Sequence, residues 1–170
     1  MSLRFHEIAE ANHRIQNPLS EEKLALVGEI CRPKEGMRQL DLACGKGEML
    51  SQWAQKFGIR GVGVDISEVF IEAAKARAFD LEISDQVNFV VDDAADYPQE
   101  YHSFDIVSCI GATWIGSGLE GTLNLMKVAL KEKDGLLLVG EPYWHELPPP
   151  NACAMMEIEQ STYATLEGTL

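Results

Sequence analysis

The stretch Leu40–Leu50, LDLACGKGEML, decides the fold of this 170-residue chain. Apolar residues surround Asp41, a turn with Gly45 and Gly47 follows, and a helix is expected to begin after the turn. A glycine turn between a strand and a helix brings a ligand close to backbone at a helix N-terminus, where unpaired N–H groups point outward. Open α/β sheets hold nucleotide-like ligands in this way.

Predicted strands and helices alternate along the chain, which is typical of a parallel sheet covered by helices. The strands are near-continuous apolar runs, expected at Met37–Ala43, Ile59–Asp65, Val87–Val91, Phe104–Ile110 and Leu136–Gly140. Helices are expected after a cap at Ser20, over Lys46–Phe57, from a cap at Ser67 to about Asp80, and over Gly118–Lys131. After Glu141, four prolines disfavour regular structure, except for a short helix within Asn151–Gln160.

Composition and charge exclude several classes of protein. The net charge of −13 disfavours nucleic-acid binding, which requires clustered Lys and Arg. No apolar run approaches the roughly 20 residues that cross a bilayer, so no membrane association is expected. The four cysteines form no CxxC pair, which disfavours a metal site or a disulfide framework and favours the cytoplasm.

The glycine turn and an acid at the end of the second strand, Asp65, fit two classes of ligand: an NAD-like dinucleotide and S-adenosylmethionine. Asp65 can bind ribose hydroxyls in either case. The dinucleotide fingerprint requires a third glycine where this chain has Leu50. Asp41 would repel a pyrophosphate and attract the amino group of a methionine moiety. The simpler alternative is that the glycines only form a tight turn and that Asp41 only caps a helix.

A third acidic segment, Asp92-Asp93-Ala94, follows the third strand at the same edge of the sheet. A carboxylate there can accept hydrogen bonds from the adenine amino group, and Asp93 is the best placed because Ala94 leaves room for the ring. An ordinary polar loop is an equally good interpretation of this segment alone.

Four segments in this order and spacing closely resemble the motifs of class I S-adenosylmethionine-dependent methyltransferases: LDLACGKGEML, GVGVDIS, NFVVDDAADY and FDIVSCIGATWI. GATWIGSG and GEPYW are similar to segments of uncharacterised bacterial methyltransferases that act on small molecules. The resemblance implies a Rossmann-like, doubly wound, mainly parallel sheet of order 3-2-1-4-5. It also implies that S-adenosylmethionine is the cofactor and that a small molecule accepts the methyl group. The cofactor-binding residues that it implies are Asp41, Ala43, Cys44, Gly45, Gly47, Asp65, Ile66, Asp93, Ala94, Cys109 and Ile110.

The chain departs from the family pattern at two places. Ala43 stands where glycine is commoner, and alanine fits the turn when its φ is negative. Strands 6 and 7 are absent from the sequence, so we expect a fragment of a longer protein. The expected domain is a single methyltransferase domain, with an N-terminal lid at 1–19, a cofactor-binding core at 20–141 and an incomplete C-terminal part at 142–170.

The acceptor side is less defined by the sequence. His13, Glu141 and Tyr143 are the candidate general bases, and a surface histidine is the simpler interpretation of His13. The expected substrate pocket comprises Gly111, Trp114, Tyr143 and Trp144, although Trp114 fits core packing equally well. Two alternatives stay open: an NAD-dependent oxidoreductase and a non-catalytic cofactor-binding module.

Overall fold

Five parallel strands form one sheet in a computed structural model that describes residues 2–16, 19–97, 100–155 and 158–169. The strands are β1 (Arg38–Leu42), β2 (Arg60–Asp65), β3 (Val87–Val91), β4 (Ile106–Ile110) and β5 (Leu136–Gly140). The helices are α1 (Leu3–Ala9), α2 (Glu21–Cys31), α3 (Glu48–Phe57), α4 (Glu68–Asp80), α5 (Leu119–Ala129), α6 (Pro150–Met155) and α7 (Leu166–Thr169). Short 3₁₀ segments cover Thr113–Gly116 and Gln160–Thr162.

The strand order is β3-β2-β1-β4-β5, which confirms the predicted order. Asp41 of β1 lies opposite Gly63 of β2 on one side and Ser108 of β4 on the other. Because all pairs are parallel, the carboxyl ends of the strands meet at one edge, where the connecting loops lie.

Alternation along β1 separates its polar and apolar side chains. Leu40 and Leu42 pack in the core cluster that includes Met126 of α5. Successive strand side chains face opposite sides of a sheet, so Gln39 and Asp41 face the side covered by α3 and α4. A second core cluster lies on that side of the sheet and includes Trp53 and Ile71, both almost fully buried.

The helix boundaries largely follow the predicted signals. The hydroxyls of Ser20 and Ser67 accept the N–H of Lys23 and Phe70, at 3.3 and 3.2 Å, as predicted for N-caps. Gly58 ends α3 with a φ of 68°. Helix α1 lies within the expected lid segment and was not predicted. Within the described residues, no helix is long and apolar enough to cross a membrane.

The chain divides into two compact units, Met1–Gly140 and Glu141–Leu170, close to the predicted end of the cofactor-binding core. In the second unit, α6 falls within the expected short helix apart from its first residue. The Trp144 indole N–H donates to the Gln160 carbonyl at 3.0 Å, and its ring contacts Tyr163 edge-on.

Candidate functional site

A buried carboxylate, Asp41, lies beside the glycine turn. Its Oδ1 accepts the hydroxyl of Ser108 at 2.6 Å, and Gln39 Nε2 donates to the same serine oxygen at 2.9 Å. Asp41 is only 4% exposed, and no ion pair to it is found among the described residues. Burial raises its pKa to about 7, nearby Asp65 adds to this, and the Ser108 hydrogen bond opposes it. A ligand cation would therefore stabilise its ionised form.

Asp65, at the end of β2, fastens the turn to the neighbouring strand. Its Oδ2 accepts the N–H of Gly45 at 2.8 Å, and its Oδ1 accepts the N–H of Ser67 at 2.9 Å. A carboxylate has about four acceptor sites, so these two backbone donors leave it capacity to accept ligand hydroxyls. Asp65 thus has a structural role that was not predicted from its sequence motif.

The turn requires its two glycines. Gly45 and Gly47 have φ values of 56° and 65°, which L residues rarely adopt. A Cβ on Gly47 would also collide with the ring of Phe89. The expectation of a negative φ at Ala43 is wrong, because its φ is 54°. The N–H of Cys44, the next residue, donates to the Val64 carbonyl at 2.9 Å, and the turn imposes this left-handed conformation on alanine at a cost of about 1–2 kcal/mol.

The four N–H groups of the turn itself, at residues 44–47, all have acceptors. The N–H of Cys44 donates to the Val64 carbonyl at 2.9 Å, and that of Gly47 donates to the Cys44 carbonyl at 2.9 Å. The N–H of Gly45 is bound by Asp65, and that of Lys46 by Gln16 Oε1 at 2.7 Å. A diphosphate would therefore find no free donor among these four groups.

The N-terminal segment is bonded to the turn through Lys46. Its ammonium donates to the carbonyls of Glu10, Ala11 and His13 at 2.7, 3.0 and 2.7 Å. Partial burial lowers the pKa of Lys46, and nearby Glu10 opposes this effect. These contacts join segments more than 30 residues apart, so no local pattern predicts them.

Asp41 does not cap a helix. The N-cap of α3 is Gly47, and it makes no side-chain capping bond. The alternative that assigned Asp41 a capping role is therefore wrong.

The predicted adenine side lies along the ends of β2 and β3. Ile66 is 58% exposed directly after β2. Asp93 is exposed and accepts the N–H of Ala95 at 2.9 Å, whereas Ala94 is buried in the core. At the end of β4, Cys109 is fully buried and Ile110 partly buried.

The acceptor-side candidates lie in different parts of the chain. His13 is largely exposed, and its Nδ1 is 2.9 Å from Glu10 Oε2. Trp114 is 73% exposed, so the core-packing alternative is wrong, and Gly111 before it has a φ of 71°. Glu141, Tyr143 and Trp144 belong to the second unit. Asn17, a polar residue of the lid segment expected at 1–19, lies outside the described residues. No group of three or more metal-ligating side chains occurs within the ranges described.

Comparisons with known proteins agree with this arrangement. A family model described as "Methyltransferase domain" matches residues 33–169. Uncharacterized protein YjhP of Escherichia coli K12 is 44% identical over 167 residues, which are 97% of this chain and 66% of that protein. The demethylmenaquinone methyltransferase of Staphylococcus aureus MRSA252 is 31% identical over 142 residues, which are 80% of this chain and 55% of that enzyme.

A solved structure is similar over almost the whole chain. The SAM-dependent methyltransferase of Geobacter sulfurreducens, crystallised with S-adenosyl-L-homocysteine, has a TM-score of 0.94 at 39% identity, covering 99% of this chain and 68% of that one. The chain thus spans about two thirds of the length of YjhP and just over half of the staphylococcal enzyme. Because the family model matches most of the chain and the fold agrees, the chain belongs to the class I S-adenosylmethionine-dependent methyltransferase family.

Proposed function

We propose that this protein binds S-adenosylmethionine at the glycine turn and transfers its methyl group to a small molecule. The observation that carries this proposal is the pair of acids, Asp41 and Asp65, beside a turn whose N–H groups at residues 44–47 are all bonded. Such a site attracts an ammonium group and hydroxyls, and repels a diphosphate. This disfavours the NAD-dependent alternative.

The residues of the site fit the groups of this cofactor. Asp41 holds the ammonium group, and Asp65 accepts hydrogen bonds from the ribose hydroxyls. Ile66, Asp93 and Ala94 contact the adenine. The remaining cofactor contacts come from Ala43, Cys44, Gly45 and Gly47 along the turn and from Cys109 and Ile110 at the end of β4.

The bound cofactor supplies a sulfonium methyl group that is already activated for displacement. The protein then contributes chiefly alignment and the exclusion of water. An acceptor that carries a proton at neutral pH also needs a general base, for which His13, Glu141 and Tyr143 are the candidates.

A small-molecule acceptor agrees with the charge and with the relatives. The net charge of −13 disfavours nucleic acid as a partner. The staphylococcal relative is named for demethylmenaquinone, which is a small molecule. We assign the protein to the cytoplasm on the pattern of its cysteines. Of the residues predicted for the substrate pocket, Gly111 and Trp114 belong to the first unit, and Tyr143 and Trp144 to the second.

Isothermal titration calorimetry with S-adenosylhomocysteine and with NADH tests the proposal. We expect binding of S-adenosylhomocysteine and no binding of NADH. Binding of NADH alone would overturn the proposal. Binding of S-adenosylhomocysteine without turnover across a broad acceptor panel would support a non-catalytic binding module instead.

A further inference from the structure

The side chain of Gln16 lies against the glycine turn. Its Oε1 accepts the N–H of Lys46 at 2.7 Å, and a Cβ on Gly45 would collide with the same oxygen. Because the Lys46 N–H is a donor, the oxygen of the carboxamide must face it, and the amide nitrogen points the other way. That nitrogen, Gln16 Nε2, is buried and has no hydrogen-bond partner among the described residues.

A buried amide donor of this kind is unusual in a folded protein. The large majority of buried polar side-chain atoms have a partner, so each exception requires an explanation, such as a bound water, ion or ligand. Gln16 belongs to the segment that the Lys46 ammonium holds through the carbonyls of Glu10, Ala11 and His13. Its position over Gly45 is therefore fixed by several contacts.

The amino acid end of S-adenosylmethionine carries a carboxylate on the same carbon as its ammonium group. Asp41 suits the ammonium group and would repel the carboxylate. The N–H groups of residues 44–47 already have acceptors, and the Lys46 ammonium is bound by three carbonyls. Gln16 Nε2, in contrast, has no acceptor among the described residues.

We infer that the Gln16 carboxamide binds the α-carboxylate of the cofactor, so that the N-terminal segment completes the cofactor site. This inference rests on the proposed function. It assigns the two charges of the amino acid moiety to different elements: the ammonium group to β1, and the carboxylate to the segment between α1 and α2.

Gln16→Glu is the variant that isolates this role. Glutamate keeps an oxygen for the Lys46 N–H and replaces the orphan donor by a second acceptor. Gln55→Glu, at an exposed position on α3, makes the same change of charge away from the turn. Calorimetry would use three ligands: S-adenosylhomocysteine, its decarboxylated analogue, which keeps the amine and the thioether, and 5′-methylthioadenosine, which lacks the amino acid end.

We expect Gln16→Glu to weaken binding of S-adenosylhomocysteine by about tenfold to a hundredfold. Its affinity for the decarboxylated analogue and for 5′-methylthioadenosine should stay within about threefold of the unmodified protein. Gln55→Glu should leave all three affinities unchanged.

Two results would overturn the inference. One is an unchanged affinity of Gln16→Glu for S-adenosylhomocysteine, and the other is an equal loss for all three ligands, which would indicate a structural role. Failure of the unmodified protein to bind any of the three would instead contradict the proposed function.

Discussion

Asp41→Asn tests whether a buried charge at the glycine turn is retained for the cofactor at the expense of stability. The substitution keeps the shape of the side chain and an oxygen that can accept the Ser108 hydroxyl, and it removes the charge. Burial is the main reason that the pKa of Asp41 rises from 3.8 to about 7 in the folded protein, with Ser108 opposing and Asp65 adding to the rise.

The sign of the effect follows from the two pKa values. Between about pH 4 and pH 7 the folded protein holds a proton that the unfolded chain has released, so the free energy of unfolding falls as pH rises and levels off above about 7. The ionised carboxylate then costs about 4 kcal/mol, because each pKa unit corresponds to about 1.4 kcal/mol. The stability advantage of Asp41→Asn over the unmodified protein should therefore grow by about 3 kcal/mol between about pH 5 and pH 8.

Urea denaturation at both pH values measures this advantage. Asp105→Asn is a control of opposite sign: burial raises the pKa of Asp105, but hydrogen bonds from the Arg38 N–H and from Lys131 outweigh burial and lower it. Its substitution should destabilise the protein at neutral pH. Asp41→Asn should also weaken binding of S-adenosylhomocysteine by about 1.5–3 kcal/mol. Equal stability of Asp41→Asn and the unmodified protein at pH 8, or an unchanged affinity, would refute the reasoning.

Four further outcomes are expected. Asp65→Ala should weaken binding of S-adenosylhomocysteine by about 1–3 kcal/mol, and an unchanged affinity in calorimetry would show that the ribose lies elsewhere. The same substitution should lower the free energy of unfolding, because Gly45 and Ser67 lose the acceptor of their N–H groups. The affinity of the unmodified protein for S-adenosylhomocysteine should fall as pH drops below about 7, since Asp41 must lose its proton to bind a cation; a flat profile between pH 6 and 8 would argue against this coupling. Ser108→Ala should raise the pKa of Asp41 and move that pH dependence upward, and an unshifted profile would contradict the assigned hydrogen bond. Ala43→Gly should raise the free energy of unfolding by about 1 kcal/mol or less, because relief of the left-handed strain at residue 43 exceeds the added entropy of the unfolded chain. Thermal unfolding measures this, and a lower melting temperature would contradict the expected gain in stability.

The sheet and two of the acids at its edge could be predicted because their signals are local. Each strand is an apolar run, and Asp41 and Asp65 lie at or near the ends of such runs. The bonding of the turn could not be predicted, because three of the four acceptors of its N–H groups, on Val64, Asp65 and Gln16, come from elsewhere in the chain. Gln16 lies 30 residues before Lys46, and nothing in its neighbourhood indicates that contact. Helix α1 was missed for a different reason: it has only 7 residues, too few for an apolar period to stand out, and its Leu3, Phe5 and Ile8 side chains are exposed.

The register of the sheet determines the chemistry of Asp41. Ser108 lies opposite Asp41 in the parallel pair, so their side chains emerge on the same face. Gln39 Nε2 donates to Ser108 Oγ, so the serine hydroxyl proton is left to bind an acceptor. Of the two acceptors near Ser108 Oγ, Asp41 Oδ1 at 2.6 Å is closer than the Leu40 carbonyl oxygen at 3.3 Å. The hydrogen bonds thus run in one direction and end on the carboxylate, which favours its ionised form. A shift of one residue in β1 would instead carry the carboxylate to the apolar face packed against α5. The same pairing that closes the core therefore keeps this buried acid close enough to ionisation at neutral pH to bind a cation.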